Sequence, residues 1–171
     1  LPFSNHQVNL YYNMKSSNRL STWRTTAFYQ DTYKWSSKAG SFSLTGGLRA
    51  NYWTFNNELL ISPRVAVSFL PTGKRDFSFR FATGLYYQAP FYKEIRDTLT
   101  DALGNVNISL NKNIKAQRSL HFVLGGDNYF RAWGRPFKFT TEAYLKLMDR
   151  MISYSVDNVR ILYSGKNDAK A

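Results

Sequence analysis

The sequence predicts an all-β protein, an antiparallel up-and-down meander of about eight long strands. Hydrophobicity alternates with a period of two along most of the chain, which is the pattern of strands with one apolar and one polar face. The alternating segments are about twice the usual strand length of roughly 5–6 residues. No segment has the 3.6-residue period of an amphipathic helix.

Four segments carry the clearest alternation. In the first of them, Phe42 and Leu44 share one face while Ser43 and Thr45 share the other. The four segments are 41–53, 59–69, 77–88 and 137–147. Weaker alternation predicts four further strands. Three of them lie at 7–14, 23–35 and 120–130, and the last begins near 159–163.

The predicted connections differ between the two ends of these strands. At one end they are tight turns rich in Gly, Pro and Ser, at 36–40, 71–75 and 131–135. At the other end lie a short turn at 56–57 and the long segment 89–118. Short turns at one end and longer loops at the other are typical of outer-membrane barrels, whose tilted strands span the bilayer with about ten residues.

Aromatic side chains collect near both ends of the predicted strands. Two girdles of this kind are what a lipid bilayer selects in a β-barrel wall. The residues assigned to the girdles are Trp23, Trp35, Tyr52, Phe69, Phe77, Tyr87, Trp133 and Phe137. The alternative is that these rings fill the core of a soluble β-barrel or sandwich.

Composition narrows the function classes. The 171 residues include 23 Lys and Arg against 11 Asp and Glu, a formal net charge of +12, with no cysteine and two histidines. Disulfides and Cys-ligated metal sites are therefore excluded, and no metal site or cofactor is expected. The basic residues lie at both ends of the predicted strands, so no nucleic-acid-binding face emerges. Outer-membrane lipid and lipopolysaccharide phosphates are the expected partners of this charge.

Several motifs resemble the barrel wall of TonB-dependent outer-membrane receptors. The run 46–53 followed by 61–69 is similar to the family's "G-x-R" strand and the "S-P-R" strand after it. The stretch 79–95 resembles the element that leads into an external loop, and 114–120 and 136–154 resemble the strands that follow. The residues that carry the motifs are Ser62, Pro63, Arg64, Pro90 and Glu94.

The resemblance implies an architecture and a set of partners. Residues 1–171 become part of a β-barrel domain, an arc of a roughly 22-stranded transmembrane barrel in the outer membrane of a Gram-negative bacterium, with 89–118 as a long external loop. The implied partners are the rest of the barrel and its plug, TonB through that plug, and an external ligand. The motifs are most similar to the subgroup with a carboxypeptidase-regulatory-like N-terminal domain. The sequence lacks the plug, the TonB box and the C-terminal aromatic strand, so a fragment is expected.

Three arginines are predicted to line the lumen-facing, plug-facing side. If the connecting turns centre at 56–57 and at Thr72, Arg49 lies opposite Arg64, and Arg64 lies opposite Arg80. Like charges opposed on one sheet face need neutralisation or hydration. The row therefore either pairs with acidic groups of a plug domain or is solvated by water in the lumen.

The sequence identifies no catalytic residue. His121 is predicted to face the lumen, with Asp127 on the same face but too far along the strand for a direct hydrogen bond, so a Ser–His–acid centre is not assembled. Asp127 and Glu142 lie on neighbouring strands, and carboxylates are common in water-filled lumens.

The favoured function is that of a segment of a TonB-dependent transporter. It would import a scarce nutrient, such as a siderophore, glycan or peptide, across the outer membrane, and it is not expected to be an enzyme. The alternative is a self-contained small β-barrel that acts as a binding or adhesion module. An outer-membrane hydrolase that uses His121 is the third candidate.

Overall fold

The computed structural model describes residues 19–73, 76–100, 106–157 and 160–171. Within these ranges the chain forms β-strands, and no described segment is a helix long and apolar enough to cross a membrane. The strands are β1 (Arg24–Ser37), β2 (Gly40–Trp53), β3 (Glu58–Pro71), β4 (Asp76–Gln88), β5 (Arg96–Thr100), β6 (Val106–Leu110), β7 (Gln117–Ala132), β8 (Arg135–Asp149), β9 (Met151–Asp157) and β10 (Arg160–Ala169).

The long strands form one antiparallel sheet in the order β1-β2-β3-β4-β7-β8, which confirms the predicted all-β meander. Two separate hairpins, β5–β6 and β9–β10, stand outside this sheet. The predicted last strand is β10, and it pairs with β9 instead of extending the sheet. The strand predicted at 7–14 lies outside the described residues.

Tight turns define what we call the short-turn end of the sheet. Ser37 pairs with Gly40 across a two-residue connection between β1 and β2. The β7–β8 connection consists of Trp133 at φ 49° and Gly134 at φ 73°. Positive φ at both central residues is the type I′ geometry, whose twist matches that of the flanking strands.

The opposite, long-connection end holds a small hydrophobic core. Trp53 and Phe55 stack with ring centroids 4.9 Å apart and pack with Ile95. Ile95 and Ile114 are each only 1% exposed. The segment 89–118, predicted as a long loop, thus contains the β5–β6 hairpin and packs against the connection between β2 and β3.

The sheet has two faces of different chemistry. We call the face that carries Phe42 and Leu44 the apolar face and the face that carries Arg49 and Arg64 the polar face. Asp31 is an exception to this pattern: it lies in mid-strand on the apolar face, opposite Gly46, and its carboxylate accepts a hydrogen bond from the Thr32 amide at 2.8 Å.

Candidate functional site

The polar face carries the candidate functional groups, and its register differs from the predicted one. Arg49 lies opposite Ser62, and Arg64 lies between Gly47 on β2 and Gly84 on β4. Arg80 pairs with Ser68 on β3 and Gly125 on β7. The prediction that Arg49 opposes Arg64 and that Arg64 opposes Arg80 is therefore wrong, although all three do share one face.

Aromatic packing explains the observed register. On the apolar face near the short-turn end, Trp35 stacks on Phe42 at 5.2 Å, and Phe42 stacks on Phe69 at 4.4 Å between ring centroids. Phe79 pairs with Phe69 and continues the row. Stacked cross-strand aromatic pairs stabilise their register. On the other face, the same register separates the arginines with glycines and serines, which avoids direct like-charge opposition.

A charge network on β4, β7 and β8 centres on Asp127. Its side chain is only 4% exposed, and both of its oxygens are used. Oδ2 accepts hydrogen bonds from Arg80 Nη1 at 2.7 Å and from Ser78 Oγ at 3.1 Å. Oδ1 accepts one from Thr140 Oγ1 at 2.8 Å and lies 3.4 Å from Lys138 Nζ. Asp127 thus neutralises cations that reach it from both neighbouring strands.

Arg80 reaches a second carboxylate more weakly. Its Nη2 lies 4.0 Å from Glu142 Oε1, and Glu142 is 60% exposed. Gly125 lies between Arg80 and Glu142 in this cross-strand row. A side chain there would approach Glu142 Cγ at 3.2 Å and Arg80 Nη2 at 3.6 Å, so the glycine leaves room for the ion pair.

A second basic group lies nearer the long-connection end. A pocket of about 260 Å³ on the polar face is lined by Arg24, Arg49 and Arg64. The neighbouring lining residues include Asn51, Ser62 and Tyr86. Arg24 was not among the predicted lumen-facing residues. The sequence signal for it was present, since it has the same strand parity as Thr26, but it lies at the very start of β1.

His121 does not form a catalytic triad with the groups around it. Its Nε2 lies 3.0 Å from Ser119 Oγ, and its ring packs on Tyr86 with centroids 4.5 Å apart. Asp127, the acid considered from the sequence, is bound instead to Arg80, Ser78 and Thr140. Among the described residues, no group of three His, Asp or Glu side chains is placed to hold a metal ion.

The residues that carry the family motifs lie on β3 and in the turn that follows β4. Ser62 is buried on the polar face, whereas Pro63 is exposed on the apolar face. Pro90 is buried at the start of the turn after β4. Glu94 is 8% exposed and closes this turn, because its Oε2 accepts a hydrogen bond from the Phe91 amide at 2.7 Å. The motif at 90–94 therefore fixes the exit of the chain from the sheet.

The aromatic residues assigned to girdles lie near the strand ends. On the apolar face, the short-turn end carries Trp35, Phe69, Phe77 and Phe137, and the long-connection end carries Tyr52 and Tyr87. The other two lie outside the strands: Trp23 precedes β1, and Trp133 lies in the β7–β8 turn. Trp133 is 91% exposed and makes an edge-on contact with Phe137 at 5.8 Å. Their assignment to membrane girdles stays a prediction.

Hydrogen bonds fasten the long segment to the rest of the chain. Glu58 Oε2 accepts one from the Ala116 amide at 2.9 Å, and Asn56 donates to the Ile114 carbonyl at 3.0 Å. Ala116 has no exposed surface. These contacts hold the residues after β6 against the β2–β3 connection, so this part of 89–118 is a docked structure and not a free loop.

Asn167 of β10 forms a clamp on the same segment. Its Oδ1 accepts a hydrogen bond from the Lys115 amide at 2.8 Å, and its Nδ2 donates to the carbonyls of Lys115 at 2.9 Å and Arg150 at 2.7 Å. We expect Asn167→Ala to increase tryptic cleavage after Lys115 by on the order of a hundredfold, because three hydrogen bonds of roughly 1 kcal/mol each are lost. Asn113→Ala is the control, since that side chain makes no hydrogen bond with any described residue. If trypsin cleaves Asn167→Ala and Asn113→Ala after Lys115 at equal rates, the Asn167 hydrogen bonds do not hold this segment in place.

Asp168 makes the β9–β10 hairpin sensitive to acid. Hydrogen bonds, the one from the Ser153 hydroxyl above all, lower the pKa of Asp168 below its ordinary value of 3.8. The Ser153 hydroxyl donates to Asp168 Oδ1 at 2.8 Å and its amide donates at 3.3 Å. A carboxyl group with a lowered pKa stabilises the fold above its unfolded pKa, and this contribution is lost as the pH falls through the folded value.

We therefore expect the hairpin to open in acid when Asp168 is protonated. At about pH 4.5, pepsin should cleave the hairpin of the wild type several-fold more slowly than that of Asp168→Asn. The ratio of the two rates should approach one as the pH is lowered further, because both side chains are then neutral. A ratio that stays constant with pH would exclude Asp168 as the titrating group.

The sheet is an antiparallel meander of long strands, with one apolar face, one polar face and aromatic residues at the strand ends. This is the architecture of a transmembrane β-barrel wall. The sequence matches the family model described as "TonB dependent receptor-like, beta-barrel" over residues 3–169. The chain therefore belongs to this family, which confirms the resemblance seen in its motifs. Members of the family are outer-membrane transport receptors of Gram-negative bacteria and not enzymes. No curated protein and no solved structure gives a significant match. Membership of the subgroup with a carboxypeptidase-regulatory-like domain stays a prediction.

Proposed function

We propose that this chain forms part of the wall of a TonB-dependent transporter that imports a scarce nutrient, such as a siderophore, glycan or peptide. The observation that carries the proposal is the two-faced six-stranded sheet in a chain that matches the receptor barrel family over residues 3–169. In an outer-membrane barrel of about 22 strands, the apolar face contacts lipid and the polar face lines the lumen. Residues 1–171 then act as an arc of the barrel, with 89–118 outside the cell.

The lipid contact is supported by the turn between β7 and β8. Trp133 occupies a left-handed position with φ 49°, which Asn or Gly adopts more readily than a bulky residue. Its 91% exposure leaves the ring free to lie at the level of the lipid headgroups. A preference for the membrane interface offsets the backbone cost in this interpretation.

The proposed partners on the polar face are the plug and, through it, TonB. Arg49 and Arg64 are available to acidic groups of a plug domain, since neither is paired within the described residues. Arg80 is a weaker candidate, because Asp127 already neutralises it. The proposed partners of the basic residues at the long-connection end are lipopolysaccharide phosphates.

A self-contained small barrel is less well supported. Closure would require the two edge strands of the sheet to pair with each other. In the described part of the chain, β1 and β8 are the edges of an open six-stranded sheet. Met148 of β8 exchanges both of its backbone hydrogen bonds with Ala171, so the β8 edge is paired locally with the residue after β10 and not with β1.

Growth on defined nutrients tests the transport proposal. A strain lacking the gene and its parent are compared with ferric siderophores, glycans and peptides, each in turn as the limiting source of iron or carbon. We expect slower growth of the deletion strain on at least one of them, restored by the gene. Equal growth on all three classes would overturn the proposal.

A further inference from the structure

The pocket at the long-connection end of the polar face concentrates positive charge. Arg24, Arg49 and Arg64 line a space of about 260 Å³, and no Asp or Glu is among its lining residues. The cross-strand register explains the proximity: Arg49 lies opposite Ser62, which is two residues from Arg64 on β3. Diagonal neighbours in an antiparallel pair are about 7–8 Å apart, within reach of two long side chains.

None of these three guanidinium groups has a polar partner in the described chain. They make no ion pair and no hydrogen bond with any described residue. The contrast is Arg80 on the same face, which meets the carboxylate of Asp127 at 2.7 Å. On this face Asp127 thus neutralises Arg80 within the wall, whereas Arg24, Arg49 and Arg64, which line one pocket, have no counter-charge among the described residues.

Two of the three arginines are nevertheless held in place. The Arg24 guanidinium lies over the ring of Trp53, 4.5 Å from its centroid, and Trp53 is 3% exposed. Arg64 lies across Gly47, where an added Cβ would approach its Nε at 3.1 Å and its Cγ at 3.2 Å. These apolar contacts restrain the side chains and leave the N–H donors uncovered, which lowers the entropic cost of binding.

We propose that Arg24, Arg49 and Arg64 form a binding site for a carboxylate or phosphate group. The planar guanidinium forks match the two oxygens of such a group and bind it through paired charge-assisted hydrogen bonds. Asn51 and Ser62 add neutral hydrogen-bonding groups to the pocket, and Tyr86 borders it. The site rests on the proposed function only in taking the polar face as the lumen side.

The anionic group has two possible sources that share this chemistry. It belongs either to the imported ligand or to an acidic side chain of the plug. The first source leaves the site open to added anions in the receptor with its plug in place. The second source leaves it occupied until the plug is displaced.

The test uses the receptor purified with its plug in detergent and inorganic pyrophosphate as the probe. Binding is measured by titration calorimetry for the wild type and for Arg49→Gln and Arg64→Gln. We expect each substitution to weaken binding about tenfold, because each removes charge-assisted hydrogen bonds. Lys34→Gln is the matched control: Lys34 lies on the same face towards the short-turn end, opposite Ser43, and its loss should change the affinity less than twofold.

The second measurement asks whether the plug occupies the site. If the wild type does not bind pyrophosphate, the urea concentration that exposes the plug to protease is compared for the wild type, the Arg49→Gln/Arg64→Gln variant and Lys34→Gln. Earlier exposure in the arginine variant alone supports the site with the plug as its source. The proposal is overturned if the arginine substitutions change neither pyrophosphate affinity nor plug exposure. Binding to purified receptor does not require transport, so a failed growth experiment leaves this test valid.

Discussion

Replacing Gly40 by alanine should disrupt the end of the sheet between β2 and β3. Gly40 is buried at φ 151°, a conformation that L side chains rarely adopt. A Cβ built on it would lie 2.2 Å from the Leu70 carbonyl oxygen and 2.8 Å from Pro71 Cα, both of them backbone atoms of β3. Because the strand itself would have to move, we expect a loss of about 3 kcal/mol in the free energy of unfolding.

Two other glycines separate the causes of this effect. Gly73 has φ 144° but nothing within 4 Å of an added Cβ, so Gly73→Ala reports backbone strain alone, about 1 kcal/mol. Gly46 has open space and no positive φ, so Gly46→Ala should be nearly neutral. The measurement is urea-induced unfolding of the receptor in detergent. If Gly40→Ala costs no more than Gly73→Ala, the close approach of β3 to Gly40 is refuted.

Removing the carboxylate of Asp127 should destabilise the centre of the polar face. Asp127→Ala leaves Arg80 and Lys138 without the group that lies 2.7 Å and 3.4 Å from them. It also removes the acceptor for the Ser78 and Thr140 hydroxyls. Leaving paired charges without their partner is costly, so we expect the midpoint of thermal unfolding to fall by about 10 °C.

The neighbouring acid and a double variant give this prediction its controls. Glu142→Gln should shift the midpoint by no more than about 1 °C, since its 4.0 Å contact with Arg80 is long and solvent-exposed. In an Arg80→Gln background, Asp127→Ala should cost clearly less, because one of the stranded cations is absent. Additive effects of the two substitutions would show that Arg80 and Asp127 do not stabilise each other.

The arginines of the polar face show where sequence reasoning succeeded and where it failed. Strand parity alone put Arg49, Arg64 and Arg80 on one face, because side chains alternate with a period of two. Their partners depended on turn centres that the sequence did not define. The β2–β3 connection is four residues long, from Thr54 to Asn57, and this length shifts the pairing so that Arg49 meets Ser62.

The hairpin and the packing within the segment 89–118 were not predicted from the sequence for a different reason. β6 alternates apolar and polar residues from Val106 to Leu110, but five residues do not stand out from a polar loop. The docking of Ile95 and Ile114 is a contact between segments far apart in the chain, and Asn167 meets Lys115 across 52 residues. No local pattern encodes such contacts.

The sequence by itself determined that the chain is all-β, that its strands have one apolar and one polar face, and that it resembles a TonB-dependent receptor wall. Those properties are local, since they depend on period-two alternation and on short motifs. The tertiary structure alone decided which charged groups meet. It put Asp127 within reach of Arg80 and left Arg24, Arg49 and Arg64 together in a pocket with no acid. The physical reason is that register is set by cross-strand packing, here the row of Trp35, Phe42 and Phe69, and each shift of register changes every charge pair on the opposite face.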